Sequence, residues 1–206
     1  MFKYILGVMI FTLSGFVSAE MHKGMVAYNY STIGADISAN GLTVDGDITQ
    51  NSMIFGYFVN DNIELIGSKS TGKYELIGEE IDMDSSVFGF RYHTSRVDMQ
   101  EGTGSGFSFG VSSNETKMNY AGISADGSET FLSVGYSTGL GNGLSLNFSS
   151  IAQADEIGDN NGIAVSFAKC TFESICFQGG YQYSAADSEG ISIDGSGFSL
   201  GLGVLF

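Results

Sequence analysis

The chain ends on a strict alternation. In Ser196–Phe206, Phe198, Leu200, Leu202, Val204 and Phe206 share one face of an extended strand. Ser199, Gly201 and Gly203 occupy the other face, with Leu205 its only large apolar residue. This period of two over about eleven residues matches the ~9–11 residues that a tilted strand needs to cross a bilayer. A face so poor in bulky groups suits the tight lumen of a closed wall better than the second layer of a soluble core.

The same period recurs upstream, with no helical periodicity of any length. A first strand is predicted over about Lys23–Thr32, carrying Val26, Tyr28 and Tyr30 on one face. A polar loop with Gly34, Gly41 and an Asp45-Gly46 turn should follow. The second strand, about Thr49–Val59, aligns Met53, Phe55, Tyr57 and Val59; the third runs from Ile63 toward Tyr74. After an acidic loop with Glu79, Glu80, Asp82 and Asp84, the fourth, about Ser85–His93, aligns Phe88, Phe90 and Tyr92.

A less apolar stretch over 94–104 leads to a fifth strand with Phe107, Phe109 and Val111. The sixth, about Glu129–Thr138, carries Leu132, Val134 and Tyr136, and the seventh Leu144, Leu146 and Phe148. Past a loop holding Asp155, Glu156 and Asp159, the eighth spans Gly162–Cys170 and the ninth aligns Ile175, Phe177, Tyr181 and Tyr183. Asp187, Glu189 and Asp194 would populate the last loop. The pattern predicts an all-β, antiparallel up-and-down transmembrane barrel. The best count is ten strands; eight is the alternative if weak runs in the 94–120 region are loop. Short connections at 60–62, 140–143 and 171–174 alternate with longer acidic ones, which should face outward.

Composition narrows the class. Thirty glycines without a single proline fit a small barrel whose inward positions must be small. Charged residues make up 15%, below the ~25% of soluble domains. Residues 1–19 form a separate unit, with Lys3, an apolar run over Tyr4–Phe16 and Val17-Ser18-Ala19 as a cleavage site. That is the layout of a secretory signal peptide, leaving 20–206 as the barrel domain. No later stretch approaches the ~18–20 apolar residues of a spanning helix. The formal charge of −15, about −16 without Lys3, argues against nucleic acid as a partner.

The aromatic carboxyl terminus on the apolar face resembles the last strand of bacterial outer-membrane β-barrels. The hairpin Gly56–Leu65, turning at Asn60-Asp61-Asn62, resembles the first periplasmic turn of the small porin-like barrels of the OmpA and OmpW type. The resemblance implies a bacterial outer-membrane location, with lipid and lipopolysaccharide as surroundings. It also implies that Phe206 is a signal for the barrel-assembly machinery. It implies either a narrow passive pore for small solutes or a structural or adhesive surface role. Solute, partner and oligomeric state stay open.

Few groups offer chemistry. Glu64, Arg91 and His93 are expected in the lumen near the periplasmic turns, as an ion-pair plug or a selectivity constriction, because unpaired buried charge is costly. Lys69 breaks the alternation from Ile63: it lies at headgroup level, or a bulge at Gly67 resets the face. Cys170 and Cys176 bracket a hairpin turn and are expected to form a cross-strand disulfide. Two thiols without a nearby histidine make a poor metal site, and no cofactor is expected. The acidic loops could gather divalent cations against lipopolysaccharide phosphates, or form a solvated, self-repelling surface. Catalysis in such barrels needs a histidine at the outer rim, whereas His22 and His93 fall near the opposite end, so an enzyme is not expected.

Overall fold

The computed structural model describes residues 22–39, 42–76, 78–154, 160–171, 174–188 and 191–206. Ten strands form: β1 (Gly24–Ala39), β2 (Leu42–Phe58), β3 (Ile63–Leu76), β4 (Glu79–His93), β5 (Ser105–Tyr120), β6 (Ile123–Gly141), β7 (Leu144–Gln153), β8 (Asn160–Cys170), β9 (Ile175–Ser188) and β10 (Ile191–Leu205). Each pairs antiparallel with its sequence neighbours, and β10 returns to β1 to close the sheet. The eight-strand alternative fails because β5 is paired along its length by β4 on one side and β6 on the other. Following the register once around, from Gly24 through Tyr57, Leu65, Phe90, Val111, Leu132, Ala152, Asn161, Ala185 and Asp194, returns to β1 at Asp36. This twelve-residue stagger, Gly24 to Asp36, inclines the strands by about 40° to the barrel axis.

Gly24 and Phe206 meet at one end, here called proximal, through hydrogen bonds in both directions. The connections at the other, distal end occupy only 40–41, 77–78, 121–122, 154–159 and 189–190. The expected long acidic loops are therefore overturned after β1, β3, β5 and β9, whose connections are two residues each. Asp45, Glu79, Glu80, Asp82, Asp84, Asp187 and Asp194 all lie in strands, while Asp155, Glu156, Asp159 and Glu189 fall outside the described residues. The longest connection among the described residues is proximal, at 94–104.

The cause of that misreading is an inversion within each long strand. In the proximal half the outward positions are apolar, as in Tyr28, Phe55, Phe90, Phe109, Leu132 and Leu202. With about 5 Å of axial rise per outward position, three to five such positions per strand make a level belt about 20 Å tall, close to the ~25 Å band of membrane barrels. Past the belt the phase flips. Outward positions become Asp36, Asp47, Lys73, Asp82, Lys117 and Asp126, and inward ones Ile33, Ile48, Tyr74, Ile81, Met83 and Met118. Above the belt the surroundings are water, so a closed wall there must bury its apolar set inside.

Three outward glycines fit the belt to its aromatics. A Cβ at Gly24 would lie 2.6 Å from Cζ of Phe206, one at Gly179 would lie 2.7 Å from the Phe167 ring, and Phe55 covers Gly67. Gly67 is thus a slot and not a bulge: the β2–β3 register runs through it unbroken. Lys69 consequently points outward at the distal edge of the belt, between Met53 and Ser86.

Candidate functional site

The lumen is filled in three layers, and the proximal one gathers the residues expected from the sequence. Glu64 and Arg91 are direct cross-strand partners on β3 and β4, and His93 lies two residues along. Arg91 Nη1 is 3.3 Å and His93 Nε2 2.9 Å from the same Glu64 oxygen, Oε2. Glu64 is 1% exposed, and its partners are buried as well. A buried carboxylate needs this company, because desolvation otherwise outweighs what the fold gains. Gly56 on β2 makes the room: a Cβ there would sit 2.5 Å from Glu64 Oε1.

The segment 94–104 closes this end, a feature absent from the sequence-based expectation. Its Val97 (1% exposed) and Met99 (0%) enter the opening and pack with Met25, Ile54, Val87 and Leu205. Asp98 shapes the turn by accepting hydrogen bonds from the backbone N–H groups of Gln100 and Glu101 at 2.9 and 3.0 Å. Gly102, at φ +70°, lies against backbone of Leu144 and Gly141 where a side chain would collide. Arg96 latches the segment: its guanidinium covers the Phe58 ring at 3.9 Å, and Nη2 donates to the His22 carbonyl at 2.9 Å. The Phe58 ring in turn lies 5.2 Å from the His93 ring. The available signal was Val97 and Met99, two apolar residues in an otherwise polar connection.

The middle layer, level with the belt, is polar. Ser70 donates to Ser52 at 2.9 Å, Ser85 to Asn114 at 2.7 Å, and Asn114 to Thr116 at 3.0 Å. The distal layer is the apolar cluster of Ile33, Ile48, Tyr74 and their neighbours.

Cys170 and Cys176 pair directly across β8 and β9 and are disulfide-bonded, with Cα atoms 4.0 Å apart, on the inward face. Phe206 points outward, in line with Phe198, Leu200, Leu202 and Val204. His22 and His93 both lie proximally, at the opposite end from the outward carboxylates of the distal half. Among the described residues no three His, Cys, Asp or Glu side chains converge on a metal-sized site.

No family model and no curated protein matches the sequence. Among solved structures the chain is similar to Neisserial surface protein A, with 14% identity over 88% of this chain and 97% of that one, TM-score 0.44. It is similar to the outer membrane protein OprG from Pseudomonas aeruginosa, with 11% identity over 94% and 99%, TM-score 0.45. It is also similar to the transport unit of the autotransporter AIDA-I from Escherichia coli, with 9% identity over 100% and 97%, TM-score 0.49. Likeness at this level concerns the fold only. The closed ten-strand sheet, the inclined strands and the level apolar belt make the chain a membrane-spanning antiparallel β-barrel.

Proposed function

We propose that this protein is an outer-membrane barrel that is closed to solutes and serves a structural or adhesive role through its distal surface. In this reading residues 1–19 direct export, Phe206 presents the barrel to the assembly machinery, and the distal end faces outward among lipopolysaccharide. The observation that carries it is the double closure of the lumen. Met99 and the Glu64–Arg91–His93 cluster fill the proximal end, and the Ile33–Ile48–Tyr74 cluster fills the distal end. Beyond the belt the wall continues for about three further outward positions, roughly 15 Å, giving a rigid acidic projection.

The narrow passive pore keeps one supporting feature, the Ser, Asn and Gln lining at membrane level. Conductance of the refolded mature protein in a planar bilayer separates the two readings. A closed barrel gives no steps in the wild type or in Arg91→Ala, because the distal cluster remains. A constriction-gated pore gives small steps that grow in Arg91→Ala. Large stable channels in the wild type would overturn the closed reading.

A further inference from the structure

One charge at the distal edge of the belt stands among apolar positions. Following the register with its stagger, Lys69 is level with Leu132, Ile163 and Phe198, the last outward apolar residues of β6, β8 and β10. The other outward lysines of the distal half face carboxylates across the strands. Lys73 faces Asp82 and bonds Glu80 at 2.5 Å, and Lys117 faces Asp84 and Asp126. Lys69 instead faces Met53 and Ser86. Hydrogen-bond donors surround it. Ser86 is its direct partner, Thr71 is the next outward residue on β3, and Asn51 lies opposite Thr71. The Tyr28 hydroxyl donates to Asn51 Oδ1 at 2.7 Å, which leaves the Asn51 amide hydrogens for another acceptor. The nearest outward carboxylates, Glu115 and Asp84, sit about 6 and 8 Å farther out along the barrel axis.

We propose that Lys69, Ser86, Thr71 and Asn51 bind a phosphate group of a lipopolysaccharide molecule beside the barrel. The proposal rests on the outer-membrane reading above, with the distal end outward. Charge selects an anion. One ammonium and three neutral donors cluster where no carboxylate faces them, and phosphate oxygens accept several such bonds at once. Depth selects a lipid. Lys69 lies at the height of the last apolar positions, below the part of the wall that water surrounds, so a group carried by the bilayer reaches it. The wall beyond selects which lipid. The outward row of β3 continues past Lys69 through Thr71, Lys73 and Glu75, about 15 Å along the axis. A phospholipid headgroup ends near its phosphate, whereas a glycolipid headgroup continues along this row and meets its hydrogen-bonding groups.

The test is a titration of the detergent-solubilised barrel with lipopolysaccharide, read by native mass spectrometry. The wild type should bind one molecule, Lys69→Arg should match it, and Lys69→Gln should bind at least about fivefold more weakly. Lipopolysaccharide stripped of its phosphates should bind the wild type and Lys69→Gln alike, at the weaker level. Equal affinity of these two proteins for intact lipopolysaccharide would overturn the site. Phosphatidylglycerol bound as tightly as lipopolysaccharide would overturn the choice of lipid, and displacement of lipopolysaccharide by millimolar inorganic phosphate would overturn the lipid as the source of the anion. Lys169→Gln is the control at the proximal edge, where Lys169 also points outward; it should bind as the wild type does. Binding lost in Lys169→Gln and kept in Lys69→Gln would reverse the orientation of the barrel, and so overturn the reading on which the proposal rests.

Discussion

Ile48→Ala tests whether the distal barrel is a packed, water-type core. Ile48 is 1% exposed and lies in a row with direct cross-strand partners Ile33 and Tyr74, followed by Ile81. Truncation removes three carbons, about 0.8 kcal/mol each or roughly 2.4 kcal/mol in transfer alone. The wall around the site is held by its hydrogen-bond ladder and collapses only partly, so a cavity contribution raises the loss to about 3–4 kcal/mol. Hydrogen exchange of the micelle-bound protein reads this locally. Peptides covering 33–48 and 74–83 should exchange a few hundredfold faster than in the wild type, as about 3–4 kcal/mol requires, with proximal peptides unchanged. Thr49→Ala, one residue away on the outward face, should stay within about 0.5 kcal/mol. Rapid exchange over 33–48 in the wild type, or identical behaviour of the two variants, would refute a packed distal core.

Other positions give simpler readouts. Gly56→Ala places a methyl 2.5 Å from Glu64 Oε1 and should destabilise the barrel by about 1–3 kcal/mol; an unchanged urea midpoint would contradict the Glu64 placement. Cys170 and Cys176 should resist thiol labelling of the denatured, unreduced exported protein, and two labelled cysteines would remove the disulfide. Its short loop should make the effect of Cys176→Ser small compared with the 2–5 kcal/mol lost from disulfide-stapled secreted domains. Deleting Phe206 should reduce the amount of folded, heat-modifiable barrel in cells, and wild-type amounts would count against its role in assembly.

The proximal half was legible because its alternation runs in a single phase. Phe88, Phe90 and Tyr92 announce both the strand and its lipid face. Glu64, Arg91 and His93 were assigned to the lumen by parity alone, and they meet there. The distal half was misread for a physical reason. In β1 the apolar positions change from Val26, Tyr28 and Tyr30 to Ile33, Ala35 and Ile37, an odd step that breaks the period without breaking the strand. Aspartates beside glycines then look like turn chemistry, although Asp36 and Asp45 are ladder partners. Nor does a fixed parity apply to the 94–104 connection, whose Val97 and Met99 are buried by a turn that leaves the sheet.

The two closures differ in kind, and that difference bears on function. The proximal closure includes a segment, 94–104, that is latched by Arg96 to Phe58 and His22 and bonded to the β6 end by Gly141 and Gly139 N–H groups donating to the Gly102 and Gly104 carbonyls. Displacing it would expose Val97 and Met99, about 1.5–3 kcal/mol for each, and break its backbone hydrogen bonds to β6. The distal closure has no such piece. Ile33, Ile48, Tyr74 and Ile81 each belong to a different strand of the wall, and each strand is held by backbone hydrogen bonds to both neighbours. Opening that end means deforming the sheet itself. A displaced proximal segment would therefore admit water only to the polar middle layer, a blind pocket and not a channel. Passage of solute demands two independent openings; presentation of a rigid surface demands none, and an apolar distal core is what keeps such a surface rigid.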